Sequence, residues 1–366
     1  MCDIVLLVYD HLDYTRNCIE SILRNTNCRY KLLVIDNGSV RKETVEYLRQ
    51  IASSDSLRIA VHRIERNIGY VGAVNFGLKK TNAPYVCVIS NDTLAYPGWL
   101  EEMIRTAQQD TRIGLVNPLW TVPKMFAGSR DRYVSTVVKR NAGRYIETDW
   151  ARGFCFLATR PLIEKIGGLD EAYAPGYFDD WDYSVRAIRA GFKCARALGA
   201  FVWHYKNVTY GLEFSTESMR VKGRIFYCRY GVPLRILLIH GSPDSSMAAE
   251  YSRLVRAVLD AQDRLVILAV RGFPVQTPHT NLKIRFVRNR FFLRVFMLWY
   301  LWDNLRYAKA RRYDIILCSG DWNRLILHLS LLRDAYAGRV YEFKDAECAS
   351  ALQVIKALKY QKHPLL

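Results

Sequence analysis

Four short β-rich runs alternate with helical stretches over the first hundred residues, and this alternation limits the fold more than any other feature. The runs occupy residues 4–8, 30–35, 58–62 and 85–89. Between the first two, residues 14–24 form an amphipathic stretch with Ile19, Ile22 and Leu23 on one face. Strands that alternate with helices predict an α/β fold with a parallel, doubly wound sheet.

Acidic turns follow the second and the fourth run. Asp36 begins the turn DNGS, and Asp92 lies in SNDT. Ligands of open α/β sheets bind at the carboxyl edge of the strands, so both carboxylates are predicted to face a site. A structural role also fits each residue, because Asp36 can form an Asx turn and Asp92 can cap the turn before Pro97.

Three carboxylates, Asp179, Asp180 and Asp182, are clustered between an aromatic loop and a basic helix at residues 172–193. Acids in a first helical turn stabilise the positive end of the helix dipole, and Asp182 with Arg186 has the spacing of an ordinary ion pair. The same cluster is also the arrangement expected of a general base in a pocket. The stretch alone leaves both interpretations open.

The composition predicts a two-domain globular protein. The chain has 366 residues, half of them hydrophobic, and its nine cysteines are scattered without a CxxC pair. The odd, scattered cysteines argue against a disulfide framework and a structural zinc site, and a reducing compartment fits best. No signal peptide is predicted. The apolar run at residues 295–302 is far shorter than the ~20 residues of a spanning helix, so a soluble or peripheral protein is expected.

The formal net charge of +18 suits anionic partners. Nucleotide diphosphates, lipid pyrophosphates and an acidic membrane surface all fit, whereas no nucleic-acid-binding motif is present. The stretch 291–312 pairs aromatic and aliphatic residues with Arg294, Arg306, Lys309, Arg311 and Arg312. It is compatible with binding at an anionic membrane surface and with packing of a helix on a second sheet.

A series of motifs carries a family resemblance over about residues 3–210. They are LLVYD, VIDNGS, RNIGYVGAVNFGLK, VISNDTLAYPGW, ARGFCFLATR and GGLDEAYAPGYFDDWDYSVRAIRAG, followed by a histidine after one more strand. In this order they resemble the inverting nucleotide-sugar glycosyltransferases of family 2, which have the GT-A fold. The similarity is greatest to the rhamnosyltransferase-like and galactofuranosyltransferase-like branch.

The resemblance implies a role for each motif residue. Ser90-Asn91-Asp92 matches the family's acidic metal motif with only its last acid retained, so Asp92 and His204 would hold Mn²⁺ or Mg²⁺. The matched nucleotide-binding positions are Tyr9, Asp36, Arg66, Asn67, Asn91 and Asp92. Asp180 matches the general base, and Asp179 would orient the acceptor.

A second domain is predicted from residue 231, after the helix breaker Gly231-Val232-Pro233. The strings RILLIHGSP, YDIILCSGD and VYEFKDAE resemble the amino-terminal half of a GT-B glycosyltransferase of family 4, a Rossmann-like α/β half domain. Because the chain stops before a donor-binding half, this unit is expected to be incomplete and inactive alone.

The sequence therefore predicts a metal-dependent, inverting GT-A glycosyltransferase at residues 1–230, followed by a Rossmann-like unit at 231–366. It would move a sugar from a UDP- or dTDP-linked donor to a hydroxyl of a glycan or lipid-linked saccharide, in cell-surface polysaccharide assembly. The expected location is cytoplasmic or peripheral at the inner face of the membrane. The alternative is a noncatalytic glycan-binding or scaffold protein that kept the fold.

Overall fold

The computed structural model describes residues 1–54, 58–205, 212–240, 248–270, 277–305, 313–318, 336, 338–342 and 348–361. These residues form two compact units, Met1–Ile225 and Phe226–Leu366. The boundary proposed from the sequence, after residue 230, lies a few residues further along the same helix and stays a prediction. Each unit has its own sheet and its own core.

The first unit alternates strands and helices as predicted. Its strands are β1 Cys2–Val8, β2 Tyr30–Asn37, β3 Ile59–Ile64, β4 Tyr85–Ser90, β5 Thr93–Ala95, β6 Ile113–Leu119, β7 Tyr145–Thr148, β8 Cys155–Thr159 and β9 Lys193–His204. Its helices are α1 Leu12–Asn25, α2 Lys42–Ser54, α3 Gly69–Leu78, α4 Trp99–Gln108, α5 Arg130–Tyr133, α6 Arg160–Ile166, α7 Asp179–Arg189 and α8 Leu212–Tyr230.

The sheet of this unit is mixed: the four strands from which a parallel sheet was predicted are parallel, and the strands that follow include antiparallel ones. The strand order is β3-β2-β1-β4-β8-β6-β9-β5, with β7 paired to β9. Strands β1 to β4 are parallel, but β8 runs antiparallel to both β4 and β6, and β5 and β7 run antiparallel to β9. The alternating pattern that predicted parallel pairing ends after α4, where the chain makes a longer excursion before β8.

The helix residues that face the core recur every three or four positions, as expected for a helix that packs one face on a sheet. In α1, Cys18, Ile19 and Ile22 are buried against the sheet, together with Trp99 at the start of α4. Leu23 was predicted on the same face but is exposed, because it lies one residue beyond the inward row. Among the described cysteines none forms a disulfide.

The second unit has a parallel sheet. Its strands are β10 Arg235–His240, β11 Arg264–Val270, β12 Leu282–Val287, β13 Ile315–Cys318 and β14 Val340–Glu342. Its helices are α9 Ala248–Asp260, α10 Arg290–Leu305 and α11 Cys348–Gln361. The order β12-β11-β10-β13-β14 agrees with the predicted Rossmann-like unit. The finer resemblance to a GT-B half is not confirmed and stays a prediction.

Helix α10 has two apolar faces. Leu293, Met297 and Leu301 are buried in the core of the second unit, so the packing interpretation of this stretch holds for one face. The opposite face exposes Phe291, Phe292, Val295, Trp299 and Trp302. The predicted basic residues Arg306, Lys309, Arg311 and Arg312 lie outside the described residues. Within the described parts of the chain, none of the helices has the length and apolarity to cross a bilayer.

Candidate active site

A cavity of about 1230 Å³ opens at the carboxyl ends of β1, β2 and β4 in the first unit. The strand order changes direction between β1 and β4, and such a switch point is where open α/β sheets bind ligands. All residues with a predicted role line the cavity except Asp36: Tyr9, Arg66, Asn67, Asn91, Asp92, Asp179, Asp180 and His204. Positions far apart in the sequence therefore meet in one site.

Asp36 has structural partners at the end of β2. Its carboxylate accepts the backbone N–H of Ser39 at 2.9 Å, which is the Asx turn considered above, and it forms an ion pair with Arg63. The side chain is buried and is absent from the residues that line the cavity within the described part of the chain. A role of Asp36 in base recognition stays a prediction, because Ser39 and Arg63 occupy its two carboxylate oxygens in the described structure.

The next residue, Asn37, faces the cavity instead. Its side-chain amide donates to Asn67 Oδ1 at 3.0 Å, and its carbonyl oxygen accepts the N–H of Ile68 at 3.0 Å. These bonds hold the Arg66–Asn67 loop against the end of β2. The alternation of side chains along a strand could have identified Asn37, because it must point to the face opposite Asp36.

Gly38 lets this loop approach the strand end closely. Its φ is +77°, and a Cβ at this position would lie 2.5 Å from the carbonyl carbon of Arg66. A larger residue is therefore excluded both by backbone conformation and by space.

We expect Gly38→Ala to destabilise the first unit by about 2–4 kcal/mol, the sum of left-handed backbone strain and overpacking. Gly98→Ala is the matched control, because Gly98 has a φ of +76° with nothing within 4 Å of the added Cβ. Gly98→Ala should lower the free energy of unfolding by about 1 kcal/mol. Hydrogen exchange of β1 and β2 peptides in the full chain measures both. Equal protection losses in the two variants would contradict the steric argument.

Asp92 and His204 lie side by side at the ends of adjacent strands. β5 pairs with β9 so that Thr93 is opposite His204, and His204 Nε2 lies 3.3 Å from Asp92 Oδ2. The imidazole stacks on Phe154 with ring centroids 4.6 Å apart and an interplanar angle of 11°. Ring stacking and strand pairing therefore fix the orientation of a nitrogen donor beside a carboxylate.

The metal-motif residue Asn91 is engaged elsewhere through its amide nitrogen, which donates to Thr15 Oγ1 at 2.9 Å. Among the described residues, no group of three or more His, Cys, Asp or Glu side chains is placed to hold a metal ion. Asp92 and His204 supply two donors of the types that Mn²⁺ accepts, and a nucleotide diphosphate supplies further oxygens. Asp92 and His204 therefore fit a divalent cation whose other ligands are oxygens of a bound substrate.

Asp179 and Asp180 open helix α7 and line the same cavity. The helix begins after Tyr177 and Phe178, whose φ values of 74° and 64° turn the chain sharply. Asp180 Oδ2 accepts the N–H of Gly153 at 2.8 Å, and Oδ1 accepts the N–H of Trp181 at 2.8 Å. These two bonds fix the plane of the Asp180 carboxylate.

Burial raises the pKa of both carboxyl groups. Desolvation raises the pKa of Asp179 well above its usual value, and the neighbouring Asp180 charge raises it further. Desolvation also raises the pKa of Asp180, opposed by the Gly153 N–H, the Trp150 side chain, the Trp181 N–H and the positive charge of Arg152. A carboxylate with a raised pKa is a stronger base than one in water, provided that it remains ionised.

Asp182 has the structural role that its spacing predicted. It is fully buried and lies 2.7 Å from Arg186 Nε, while the same guanidinium donates to the carbonyl oxygens of Ile166 and Gly168. The acidic cluster therefore divides into one ion-paired residue and two residues that line the cavity.

Stacked aromatic side chains form the wall beside Asp180. Phe178 stacks on Trp181 at 5.6 Å, and Trp181 stacks on Trp150 at 5.5 Å. All three line the cavity with Trp120. The many aromatic residues of the stretch 119–150, among them Trp120 and Trp150, predict an acceptor-side loop region. Trp181 was not predicted, because in the sequence it is an ordinary helix residue beside the acids.

Helix α3 connects the two sides of the cavity. The Tyr70 N–H donates to the carbonyl oxygen of Pro175 at 2.7 Å, and the Tyr70 hydroxyl donates to the carbonyl oxygen of Gly153. Gly69 makes this contact possible, because a Cβ there would lie 2.7 Å from Pro175 Cβ. The loop that carries Arg66 and Asn67 is thus fixed to the loop that precedes Asp179.

Comparison with known proteins shows similarity to glycosyltransferases over the first unit. Residues 3–167 match the model of Glycosyl transferase family 2. An uncharacterised protein of Sinorhizobium fredii is 26% identical over 240 residues, which are 60% of this chain and 26% of that protein. The uncharacterised glycosyltransferase YwdF of Bacillus subtilis is 28% identical over 219 residues, which are 54% of this chain and 73% of YwdF.

A solved structure described as GalNAc-T7 with UDP, GalNAc and Mn²⁺ superimposes with a TM-score of 0.50 at 14% identity. The match covers 62% of this chain and 48% of that one. Identity at this level supports a shared fold and nothing finer. The chain spans about a quarter of the Sinorhizobium relative and about half of the solved one.

Proposed function

We propose, from the match of residues 3–167 to the model of Glycosyl transferase family 2, that the first unit performs an inverting transfer of a sugar from a nucleotide-diphosphate donor to a hydroxyl group. The acceptor would be a glycan or a lipid-linked saccharide. One observation carries the proposal: the cavity at the sheet switch point brings Asp180 together with Asp92 and His204. Direct displacement at an anomeric carbon requires a base that takes the acceptor proton and groups that stabilise the charge of the departing diphosphate.

Asp180 is the proposed general base. As the acceptor oxygen forms its bond to the anomeric carbon, its proton passes to the Asp180 carboxylate and the bond to the nucleoside diphosphate breaks on the opposite face. The N–H groups of Gly153 and Trp181 hold the carboxylate in place for this transfer. The second acid, Asp179, orients the acceptor from the first turn of α7.

Asp92 and His204 are the proposed ligands of a divalent cation, Mn²⁺ or Mg²⁺, which would neutralise charge on the departing diphosphate. GalNAc-T7 was crystallised with both UDP and Mn²⁺, which agrees with such a site. Tyr9, Arg66, Asn67 and Asn91 line the same end of the cavity and are the proposed contacts of the nucleotide. Asn37 joins them because it holds Asn67 in place.

Incubating the full chain with Mn²⁺ and a panel of UDP- and dTDP-sugars tests the proposal. We expect donor-specific transfer or slow hydrolysis, with an inverted anomeric configuration in the first product seen by NMR. A noncatalytic glycan-binding or scaffold protein, the alternative suggested by the reduced metal motif, would bind without consuming any donor. A retained anomeric configuration would contradict the role of Asp180 as a base.

The second unit is proposed to serve docking rather than catalysis. Its exposed α10 face, formed by Phe291, Val295, Trp299 and Trp302, is flanked by the exposed Arg288, Arg290 and Arg294. Aromatic rings beside cations are the composition of a helix that lies in the headgroup region of an anionic bilayer. We propose this face as the contact with the inner face of the membrane, in a cytoplasmic, peripheral enzyme of polysaccharide assembly.

Flotation with liposomes checks the membrane proposal. The full chain should float with phosphatidylglycerol vesicles and much less with phosphatidylcholine vesicles, and Trp299→Ser combined with Trp302→Ser should lower the bound fraction at least about fivefold. Met125→Ser is a control, because Met125 is exposed in the first unit. Equal flotation of the double variant would exclude α10 as the contact. Sugar transfer by residues 231–366 alone would contradict the docking role.

A further inference from the structure

Two arginines and two tryptophans form an alternating stack on the acceptor side of the cavity, here called the arginine–tryptophan wall: Trp120, Trp150, Arg152 and Arg196. The Arg152 guanidinium carbon lies 4.2 Å from the ring centroid of Trp150 and 5.0 Å from that of Trp120. The Arg196 guanidinium carbon lies 4.5 Å from the Trp120 centroid. Stacking covers the flat faces of a guanidinium and leaves its N–H edge for hydrogen bonds.

The Arg152 position is fixed by its backbone rather than by an acidic partner. Its N–H donates to Asn117 Oδ1 at 2.7 Å, and its carbonyl oxygen accepts from Asn117 Nδ2 at 3.1 Å. Within the described residues, neither Arg152 nor Arg196 forms a salt bridge with a carboxylate. The Nε atom of Arg196 is buried without a hydrogen-bond partner in that same part of the chain.

Two positive charges thus share a partly desolvated site. Burial lowers the pKa of Arg152, which the charges of Asp180 and Asp149 raise. Burial also lowers the pKa of Arg196, and the nearby Arg152 charge lowers it further, while the charge of Asp149 raises it. Bringing an anion to this wall would relieve the repulsion between the two guanidinium groups and satisfy the N–H edge of Arg152.

The position of the wall next to Asp180 favours the acceptor over the nucleotide as its ligand. Arg152 lines the cavity directly before Gly153, whose N–H binds the Asp180 carboxylate. Another arginine, Arg66, lies on the loop that Asn37 and Asn67 hold at the nucleotide end. A group bound by Arg152 therefore sits beside the general base, where the attacking hydroxyl must lie.

We propose, on the basis of the proposed function, that the acceptor saccharide is anionic and that Arg152 binds its phosphate or carboxylate group. Arg196 is a positioning residue, which holds Trp120 and adds positive charge behind it. The donor diphosphate offers the same phosphate chemistry, so the experiment must separate the two sources.

Binding of small probes to the full chain tests the assignment. With Mn²⁺ and saturating UDP present, we compare α-glucose 1-phosphate and methyl glucuronide with neutral methyl glucoside by calorimetry or ligand-observed NMR. The anionic probes should bind at least about tenfold more tightly than the neutral one, as a charge-assisted, bidentate contact implies.

Variants locate the contact. Arg152→Gln should reduce the preference for anions to about twofold or less, and Arg152→Lys should restore only part of it, because lysine lacks the planar fork. Arg196→Gln should weaken the preference for anions by about threefold, because the Trp120 ring separates the Arg196 charge from Arg152. Arg144→Gln, at an exposed arginine that binds Asn141, should leave it unchanged. UDP affinity within about twofold of the original in every variant shows that the cavity has folded.

The outcomes separate the inference from the function on which it rests. Normal UDP binding with equal affinity for neutral and anionic probes would overturn the anionic acceptor and leave the glycosyltransferase proposal standing. Anionic probes that bind only when UDP is omitted would overturn the acceptor assignment in favour of the donor diphosphate. The third outcome is a chain that binds no nucleotide but prefers anionic probes and loses that preference in Arg152→Gln. This result would support the anion site and overturn the nucleotide-sugar function.

Discussion

Replacing Asp180 by asparagine is expected to lower kcat by about a thousandfold, because the amide cannot accept the acceptor proton. The amide retains one oxygen, so it keeps a hydrogen bond from either Gly153 or Trp181 and the helix start survives. Affinity for UDP with Mn²⁺ should change by no more than about twofold. Single-turnover rates and nucleotide titrations on the same preparation measure both quantities.

The pH dependence adds a second readout to this variant. Because burial raises the pKa of Asp180, activity should fall on the acid side at a pH above the ordinary titration range of an aspartate, as the base becomes protonated. This acid limb should vanish in Asp180→Asn. Asp110→Asn is the control, because Asp110 pairs with Arg112 and Lys193 and does not line the cavity within the described residues. Loss of nucleotide binding together with turnover would contradict the assignment.

His204→Ala should weaken binding of UDP in the presence of Mn²⁺ by about a hundredfold and lower kcat/KM at least as much. The expected reason is loss of one of the two side-chain donors that the described cavity supplies at this end. Asp92→Asn should have the same phenotype. Titration of Mn²⁺ by electron paramagnetic resonance, with and without UDP, measures the loss directly.

His62→Ala is the matched control for this prediction, since His62 lies in β3 and does not line the cavity within the described residues. It should bind UDP and Mn²⁺ normally. The two active-site predictions are distinguishable, because the Asp180 variant keeps the nucleotide complex that the His204 variant loses. Unchanged Mn²⁺-dependent UDP binding in His204→Ala would mean that the pair 3.3 Å apart is only an ion pair.

Much of the fold could be predicted because two signals in the sequence agreed. The periodicity of residues 4–89 indicated strands and helices, and the ordered motifs indicated a family 2 domain with the GT-A fold. The strands, the helices and the fold are confirmed, and residues 3–167 match the model of that family. The motifs also brought Asp92, Asp180 and His204 to one cavity. The antiparallel direction of β5, β7 and β8 could not be predicted, because strand direction depends on pairing between distant segments.

The finer details of the site depend on contacts that a linear pattern does not contain. Asp36 and Asn37 are adjacent in the sequence, yet only Asn37 faces the cavity, because Arg63 and Ser39 hold the Asp36 carboxylate elsewhere. The stack of Trp181 on Trp150 joins residues from a helix and a loop whose approach depends on tertiary packing. Sequence spacing alone cannot supply either contact.

The bonds that Tyr70 makes to Pro175 and Gly153 have a kinetic consequence. Any displacement of the Arg66–Asn67 loop on nucleotide entry must be shared by the segment that carries the base, or those bonds break. Occupancy of one half of the cavity is therefore expected to change affinity in the other half, and thermodynamic reciprocity requires the same factor in both directions. Nucleotide should change acceptor affinity by the factor by which acceptor changes nucleotide affinity.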